Sequence, residues 1–576
     1  MHRPLIVLKL GGSVLTSETT LRRAVHEIYR WRREGWRVVA VVSALAGETD
    51  TLLNAAHRAC PDAPSASVAG LAAIGESRSA ALLALALDRA GLPAATLSPA
   101  AVGLRATGDP RDADPVALDR TYFDAWFDRD YAIIVPGFTG IDNLGRTVTL
   151  GRGGSDLTAL HLAYNLGAEC CRLVKDVDGL YVSDPARPGP EPLRYEHATY
   201  DDALATDGSI IQHKALRYAA ARNLSFEIGR LNGTRPTRIG PGETRVSHKH
   251  DRPHPKRVAI LGLGTVGLGV FDLLQSLEDD VVISAVLARD HSKQRSIHVP
   301  AEYFASSITN AVRDADIVVE VIGGLETPRT ALHAALERSA SVVTANKALI
   351  ASDGPHLKNL ARENNCSLHA SASVGGSVPV LERIASRPGH RLCALRGILN
   401  GTTNFILDQL AQGQSIEAAI IAAQALGFAE ADPSRDLLGI DAAEKLCVIA
   451  QHEAVNAHLT LDSVAIESLA DGLRRLGPPK PARNVRHLAT LSLDHEGSIT
   501  AQVGLALIDA GDPLAAIHGS GNAVELIWDD GVREFISGRG AGRWPTAEAV
   551  VADVLTLCRQ QRDVDSALIA REVQHA

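Results

Sequence analysis

Three groups of residues in this chain carry chemistry in their type and spacing. The first is Gly262-Leu-Gly264-Thr265-Val266-Gly267, which follows the apolar run Arg257 to Leu261 and opens a helical pattern. Glycines so spaced let the backbone turn sharply, approach a pyrophosphate and pack a helix on a strand, which is the signature of a dinucleotide-binding turn. An acid about 20 residues further on would bind the ribose hydroxyls of NAD. Here the second apolar run, Val281 to Leu287, ends in Ala288-Arg289, and an arginine without that acid favours a 2′-phosphate, hence NADP(H). Because Asp290 is adjacent, a solvated turn arginine is the plainer alternative.

The second group is Lys9-Leu-Gly11-Gly12-Ser13 together with Leu150 to Ala159, LGRGGSDLTA. Paired glycines after a strand let N–H groups approach an anion, and a lysine beside them adds positive charge. Alone, such a pair is more often a tight turn. The later loop adds Arg152, Ser155 and Asp156 at a helix start, where the dipole attracts anions. Asp156 would cap that helix in any case, but a cap requires neither Arg152 nor two preceding glycines. Lys175-Asp176-Val-Asp-Gly-Leu-Tyr181 then sets carboxylates at a strand's C-terminal end, where α/β sheets bind ligands. A solvated Asp-Gly turn is the bland reading.

The third group is Glu430, Asp432, Asp436, Asp441 and Lys445. Asp441 and Lys445 are four apart and share a helix face, a spacing that surface salt bridges also use. Thr344-Ala-Asn-Lys347, after a strand of the dinucleotide-binding unit, can turn a second lysine to the same cleft.

These groups need a scaffold. The chain has 576 residues, 45% of them hydrophobic and 22% charged, which excludes disordered, collagenous and disulfide-stapled classes. A net charge of −9 without like-charge blocks argues against nucleic acid or an anionic membrane as partner, so small-molecule substrates are expected. Seven cysteines with no CxxC write neither a disulfide framework nor a zinc knuckle and fit a reducing cytoplasm. Lys9 interrupts the apolar start, and no run of about 18 apolar residues follows, so Leu5 to Leu10 is expected to be a buried strand.

Apolar runs at Val38 to Val42, Ile133 to Val135 and Arg172 to Val174 alternate with helical stretches at Glu76 to Ala90 and Asp156 to Leu166. That alternation predicts an α/β fold with parallel sheets. Between Leu231 and Lys256 it fails in a stretch rich in Gly, Pro and charge. The expected organisation is a first domain over 1–245, a linker over 246–255, a dinucleotide-binding domain over 256–380 and a mixed domain over 381–576 with strands at Ile499 to Ala506 and Ala523 to Trp528.

The first-domain motifs, in this order and with VVSALAGETD and GESRSA, resemble the amino-acid kinase superfamily and within it the aspartate kinases. The resemblance implies a three-layer α/β domain binding ATP with Mg²⁺ at Lys9, Gly11, Gly12, Ser13, Lys175, Asp176 and Tyr181. It implies that Glu76, Arg152 and Ser43 hold the amino acid and that Lys9 and Asp156 act on the transferring phosphoryl group. No protein nucleophile is needed, because such transfer runs on positioning and charge neutralisation. Three departures fall near the nucleotide pocket: the family's TDVDG reads KDVDG, its DPR reads Asp184-Pro185-Ala186, and Ser209 stands where a basic residue is common. Lys175 and Arg187 are the candidates to compensate.

EVIGG, TANKALI, NGTTNFIL, the Glu430 to Lys445 run and GRGAGRWPTAEAVVADV resemble homoserine dehydrogenases over residues 256 to 560. The resemblance implies a Rossmann domain followed by an α+β substrate and dimerisation domain. It implies cofactor contacts at Gly262, Gly264, Thr265, Val266, Gly267, Arg289, Thr344, Lys347, Gly427 and Gly540, and substrate contacts at Glu430, Asp436 and Asp441. Lys445 would donate the proton and Lys347 assist beside the nicotinamide. The family's acidic residue in a loop that binds a monovalent cation is Ser371 here, which leaves the carbonyls of Val374, Gly376 and Val378 as ligands for Na⁺ or K⁺.

The whole resembles the bifunctional aspartate kinase and homoserine dehydrogenase family, acting on aspartate, aspartate semialdehyde and homoserine, as a homodimer or homotetramer in the cytoplasm. The ligand-sensing modules that such proteins carry between their halves have no room between Leu231 and Lys256. Two alternatives stand beside this one: a dehydrogenase whose kinase half is silent and dimerises, and a pair of activities directed at an aspartate analogue.

Overall fold

Six consecutive buried residues, Leu5–Leu10, make strand β1, and a strand buried on both faces, apolar but for Lys9, belongs at the centre of a parallel sheet covered by helices. In the computed structural model β1 lies between β2 (Arg37–Val42) and the later strand Cys170–Val174, parallel to both. Residues 3–185, 187, 192–248, 254–291, 293–452, 455, 459–480, 484–494 and 498–575 are described. They fall in two units, residues 1–88 with 93–253 and residues 254–576 with 89–92. Ala186 of the Asp184-Pro185-Ala186 segment and residues 249–253 of the expected linker lie outside the described residues.

The other strands of the first sheet are β3 (Ala94–Thr96), β4 (Ala132–Pro136), β5 (Cys170–Val174), β6 (Arg194–Ala198), β7 (Phe226–Gly229), β8 (Thr237–Ile239) and β9 (Arg245–Ser247). Their order is β9-β6-β8-β7-β5-β1-β2-β4-β3, parallel except for the β7–β8 and β6–β9 pairs. In the irregular stretch after Leu231, β8 lies within the expected first domain and β9 crosses its expected end at 245; β8 pairs with β6 and β7, and β9 with β6. No local periodicity announces strands of three residues, because they are ordered by their partners rather than by their own apolar pattern.

Two helices serve the first unit's site. Helix α1 (Ser65–Arg89) starts eleven residues earlier than its apolar pattern suggests and buries Glu76, Ser79, Leu83 and Leu87 on one face. It is long and apolar enough to cross a membrane by length and composition alone, yet that face lies inside the unit. Helix α2 (Gly154–Leu166) follows Gly153, whose φ of 76° suits glycine, and is buried along most of its length.

In the second unit, β10 (Lys256–Leu261), β11 (Val281–Leu287), β12 (Ile317–Glu320), β13 (Ser341–Thr344) and β14 (Leu368–His369) form a parallel sheet ordered β11-β10-β12-β13-β14. Helix α3 (Thr265–Gln275) follows β10, and helix α4 (Lys347–Glu363) follows β13. A second sheet of six strands has β15 (Leu392–Ile398) near its middle, antiparallel to Val485–Leu493 and Gly521–Trp528. Helices α5 (Gly401–Ala411) and α6 (Ile440–Ala450) pack against it. One apolar core runs from Leu261 and Val318 of the parallel sheet through Leu446 and Cys447 of α6 to Leu491 and Val524 of the other. That shared core holds α4 against α6. The last helix, α7 (Arg543–His575), returns to pack on α3.

Candidate functional site

Helix α6 begins after Gly439, where φ is 81°. Asp441 lies in its first turn and Lys445 one turn on, both buried. Lys445 Nζ is 2.8 Å from Asp441 Oδ2 and donates to the Leu399 carbonyl at 2.6 Å. From the other side, Lys347, the first residue of α4, brings Nζ to 3.1 Å from Asp441 Oδ1. A third group joins them: Asn400 caps α5 by accepting from the Thr403 N–H at 2.8 Å, and its Nδ2 donates to Asp441 Oδ2 at 2.9 Å and Asp436 Oδ1 at 2.7 Å.

The electrostatics follow from that packing. Burial alone would raise the Asp441 carboxyl, but Lys445, Lys347 and the Asn400 amide hold it far below the usual carboxylate range. Burial would lower Lys347, yet Asp441 and then Glu444 outweigh it, so its ammonium is favoured. Asp436 is pushed up by burial and by the neighbouring Asp441 charge. Glu444, also buried, pairs with Arg435. Ammonium groups fixed on one largely buried carboxylate can stabilise and protonate an oxygen that gains negative charge.

Glu430 and Gly427 are not in this cluster. Glu430 is exposed, and its carbonyl accepts from Gln424 Nε2 at 3.2 Å. Gly427, with φ 74°, follows the helix Ile416–Ala425, where a left-handed residue commonly ends a helix. Asp432 is exposed and accepts the Ser434 N–H at 3.1 Å.

The glycine turn has the shape a dinucleotide needs. A Cβ on Gly267 would sit 1.9 Å from the Gly262 carbonyl oxygen, and one on Gly262 would sit 2.6 Å from that of Val321, whereas nothing lies within 4 Å of one on Gly264. Gly262 and Gly267 thus bring α3 close to the sheet, while Gly264 and Thr265 leave exposed space over the helix N-terminus, with Val266 half-buried behind them. Unpaired N–H groups there suit a pyrophosphate. Arg289 is exposed beyond β11. The Thr344 hydroxyl is buried and donates to Glu320 Oε2 at 2.6 Å, so its side chain is committed within the protein. Gly540 packs on the Asn522 amide so closely that a Cβ would fall 1.8 Å from Nδ2.

Val374, Gly376 and Val378 are all buried. The Val378 carbonyl accepts the Val380 N–H at 2.9 Å. Ser371 Oγ donates to Asp553 Oδ1 at 2.9 Å, and its N–H donates to Oδ2 at 3.2 Å.

The first unit gathers a second cluster. Lys9, near the end of β1, and Lys175, just past β5, stand on opposite oxygens of Asp156 on α2, each at 2.8 Å. A Cβ on Gly11 would meet Lys9 Nζ at 2.6 Å, and one on Gly12 would lie 3.2 Å from the Ala44 carbonyl oxygen, so Gly11 leaves room for the ammonium and Gly12 for the chain at Ala44. Burial lowers Lys9 to about 8 despite the Asp156 charge, with Lys175 pulling the same way. Burial would raise Asp156, but the two lysines bring it below its usual value. Glu76 is raised to about 7 by burial, and its Oε2 is enclosed without a hydrogen-bond partner among the described residues. Ser43 donates its N–H to Leu10 at 3.1 Å, and the Tyr181 hydroxyl donates to Asp178 at 2.9 Å. Arg152, Asp176 and Ser13 are exposed.

Asn400, Glu320 and the Arg435–Glu444 pair escaped sequence reasoning. For Asn400 a local signal existed, since Asn before Gly-Thr-Thr and an apolar run is a helix N-cap. For the others none did.

A dinucleotide turn at the end of a parallel strand, with a carboxylate held by two ammoniums in the same unit, points to a nicotinamide-dependent oxidoreductase. Residues 262–371 match the model of the homoserine dehydrogenase NAD-binding domain, residues 379–555 that of homoserine dehydrogenase, and residues 4–228 that of the amino acid kinase family. The homoserine dehydrogenase of Bacillus subtilis (strain 168) is 35% identical over 323 residues, 53% of this chain and 73% of that protein. That of Mycobacterium tuberculosis (strain ATCC 25618 / H37Rv) is 36% identical over 329 residues, again 53% and 73%. A solved homoserine dehydrogenase from Thiobacillus denitrificans aligns with TM-score 0.49 and 30% identity over 54% of this chain and 74% of that one. The chain belongs to the homoserine dehydrogenase family, with an amino acid kinase domain fused ahead of the dehydrogenase.

Proposed function

We propose that the chain is a bifunctional enzyme that phosphorylates L-aspartate to 4-phospho-L-aspartate with ATP and Mg²⁺, and reduces L-aspartate 4-semialdehyde to L-homoserine with NADP(H) preferred. The observation that carries the second activity is Asp441 held between Lys347 and Lys445. The nicotinamide cofactor supplies the hydride. Lys445 then donates a proton to the nascent alkoxide, Asp441 keeps both ammoniums oriented, and Glu430, on the exposed loop before α6, takes the substrate ammonium. Arg289, exposed just past β11, supports NADP over NAD, because a guanidinium at the end of the second strand suits a 2′-phosphate.

The kinase activity is supported by Lys9 and Lys175 on Asp156. A carboxylate attacking a polyphosphate brings negative charge to negative charge, and two lysines beside a glycine loop offset it. Glu76, buried and with its Oε2 lacking a hydrogen-bond partner among the described residues, suits the ammonium of an amino acid. Coupled assays of purified protein test both activities: ADP release with aspartate and ATP, and oxidation of NADPH or NADH with the semialdehyde. Absence of semialdehyde reduction with either cofactor overturns the dehydrogenase assignment, and absence of aspartate-dependent ADP release overturns the kinase assignment.

A further inference from the structure

Glu320 ends β12 with 0% of its surface exposed and has no ion pair among the described residues. Burial raises its carboxyl above the usual value even though several donors point at it. An enclosed carboxylate without a cation is costly, so what it holds matters. Its Oε1 accepts the Ile322 N–H at 2.7 Å and its Oε2 the Thr344 hydroxyl at 2.6 Å. The Thr344 hydroxyl in turn accepts the Asn346 N–H at 3.0 Å. Asn346 Nδ2 donates to the Gly324 carbonyl at 2.7 Å, while its Oδ1 accepts the Leu349 N–H at 3.2 Å and so caps α4.

The bonds close into a ring. It starts at Glu320, runs through the 322–324 turn to Asn346 and returns through Thr344. Gly323 and Gly324 have φ of 82° and 79°, the left-handed conformation that lets the turn fold back within reach of Asn346. Both segments of the ring lie at the carboxyl ends of parallel strands, where a sheet of this kind receives its ligand. The second segment leads directly into Lys347, one residue beyond the cap.

We propose that Glu320 is a positioning residue for hydride transfer, acting through Thr344 and Asn346 to fix the start of α4 so that Lys347 meets Asp441. The proposal rests on the role assigned above to Lys347. Its physical content is that a helix start held by a cap and a buried carboxylate cannot drift, whereas a lysine at a frayed first turn would sample many positions. The hydroxyl of Thr344, not its volume, is the essential link.

Four variants test this in the full chain. Thr344→Val keeps the volume and removes the hydroxyl, Thr344→Ser keeps the hydroxyl, Glu320→Gln replaces one of the two acceptor oxygens with a donor, and Lys347→Ala reports on the lysine itself. The measurements are kcat and KM for homoserine oxidation, melting temperature, and hydrogen exchange of the Ile322 and Asn346 amides in cofactor-free protein. Thr344→Val is expected to lower kcat about tenfold or more with little change in homoserine KM. Its two ring amides should exchange at least about tenfold faster, the melting temperature should shift little, Thr344→Ser should stay within about threefold of the parent, and Glu320→Gln should lower kcat in the same direction as Thr344→Val. If Thr344→Val or Glu320→Gln keeps the parent kcat while Lys347→Ala is inactive, the ring does not position the lysine. Equal losses in Thr344→Ser and Thr344→Val would assign the effect to packing and also overturn the proposal. Should Lys347→Ala keep full activity, the role of the lysine fails, and this proposal with it.

Discussion

Lys347 Nζ lies 3.1 Å from Asp441 Oδ1, a contact between the first residue of one helix and the first turn of another that no local pattern could form. With Lys445 on the opposite oxygen, it makes Asp441 the pivot of the proposed dehydrogenase site. Asp441→Asn should therefore lower kcat for homoserine oxidation by about 100-fold or more, and Lys445→Ala at least as much, in the range that positioned proton transfer contributes. Steady-state rates at saturating cofactor decide this. A loss below threefold in Lys445→Ala would remove it as proton donor.

Kinase activity should depend on the two lysines that share Asp156. Lys9→Ala should abolish aspartate-dependent ADP release, and Lys175→Ala should cut kcat more than aspartate KM, because in the proposed kinase both act on the phosphoryl group rather than on the amino acid. Semialdehyde reduction by the same preparations serves as the folding control. ADP release that is absent in the parent protein, beside normal dehydrogenase activity, would identify a silent kinase half.

Glu76 sets a pH dependence with a definite sign. Its carboxyl moves from 4.5 to about 7 on folding, so between those values the folded domain holds a proton that the unfolded chain has released. The corresponding stability is present at low pH and lost as pH rises through that window. Glu76→Gln should thus raise the melting temperature relative to the parent more at pH 8 than at pH 5. An equal shift at both values would count against it. Aspartate affinity should also weaken below about pH 7, since a substrate ammonium needs the ionised carboxylate.

Dehydrogenase turnover should not require Na⁺ or K⁺. Ser371 brings no charge, Asp553 already accepts from its hydroxyl and N–H, and the Val378 carbonyl is bonded to Val380. Rates within about twofold after replacing both ions with a bulky organic cation are expected, because a hard ion needs several free oxygen ligands. Strict dependence on either ion would refute this.

Threonine should inhibit weakly or not at all. The residues between the two halves, where a sensing module would sit, already supply β8 and β9 to the first sheet. Both activities are expected to persist in millimolar threonine, and steep inhibition of either would show a sensing site elsewhere.

What the chain alone determined is what arises over a few residues. The Gly262 to Gly267 turn between strand and helix, the alternation of strands and helices, and the i,i+4 partnership of Asp441 with Lys445 depend on spacing along one element, which covalent geometry enforces. Only the tertiary structure decided which elements meet. It brought Lys347 to Asp441 and Lys175 to Asp156, placed Asn400 between two acids, and enclosed Glu320 beneath the start of α4. It left Glu430 and Arg152 at the surface and turned the irregular stretch after Leu231 into paired strands. The physical reason is the same in each case: these contacts join residues whose approach is set by a shared apolar core and by sheet register, and neither is written in any short window of sequence.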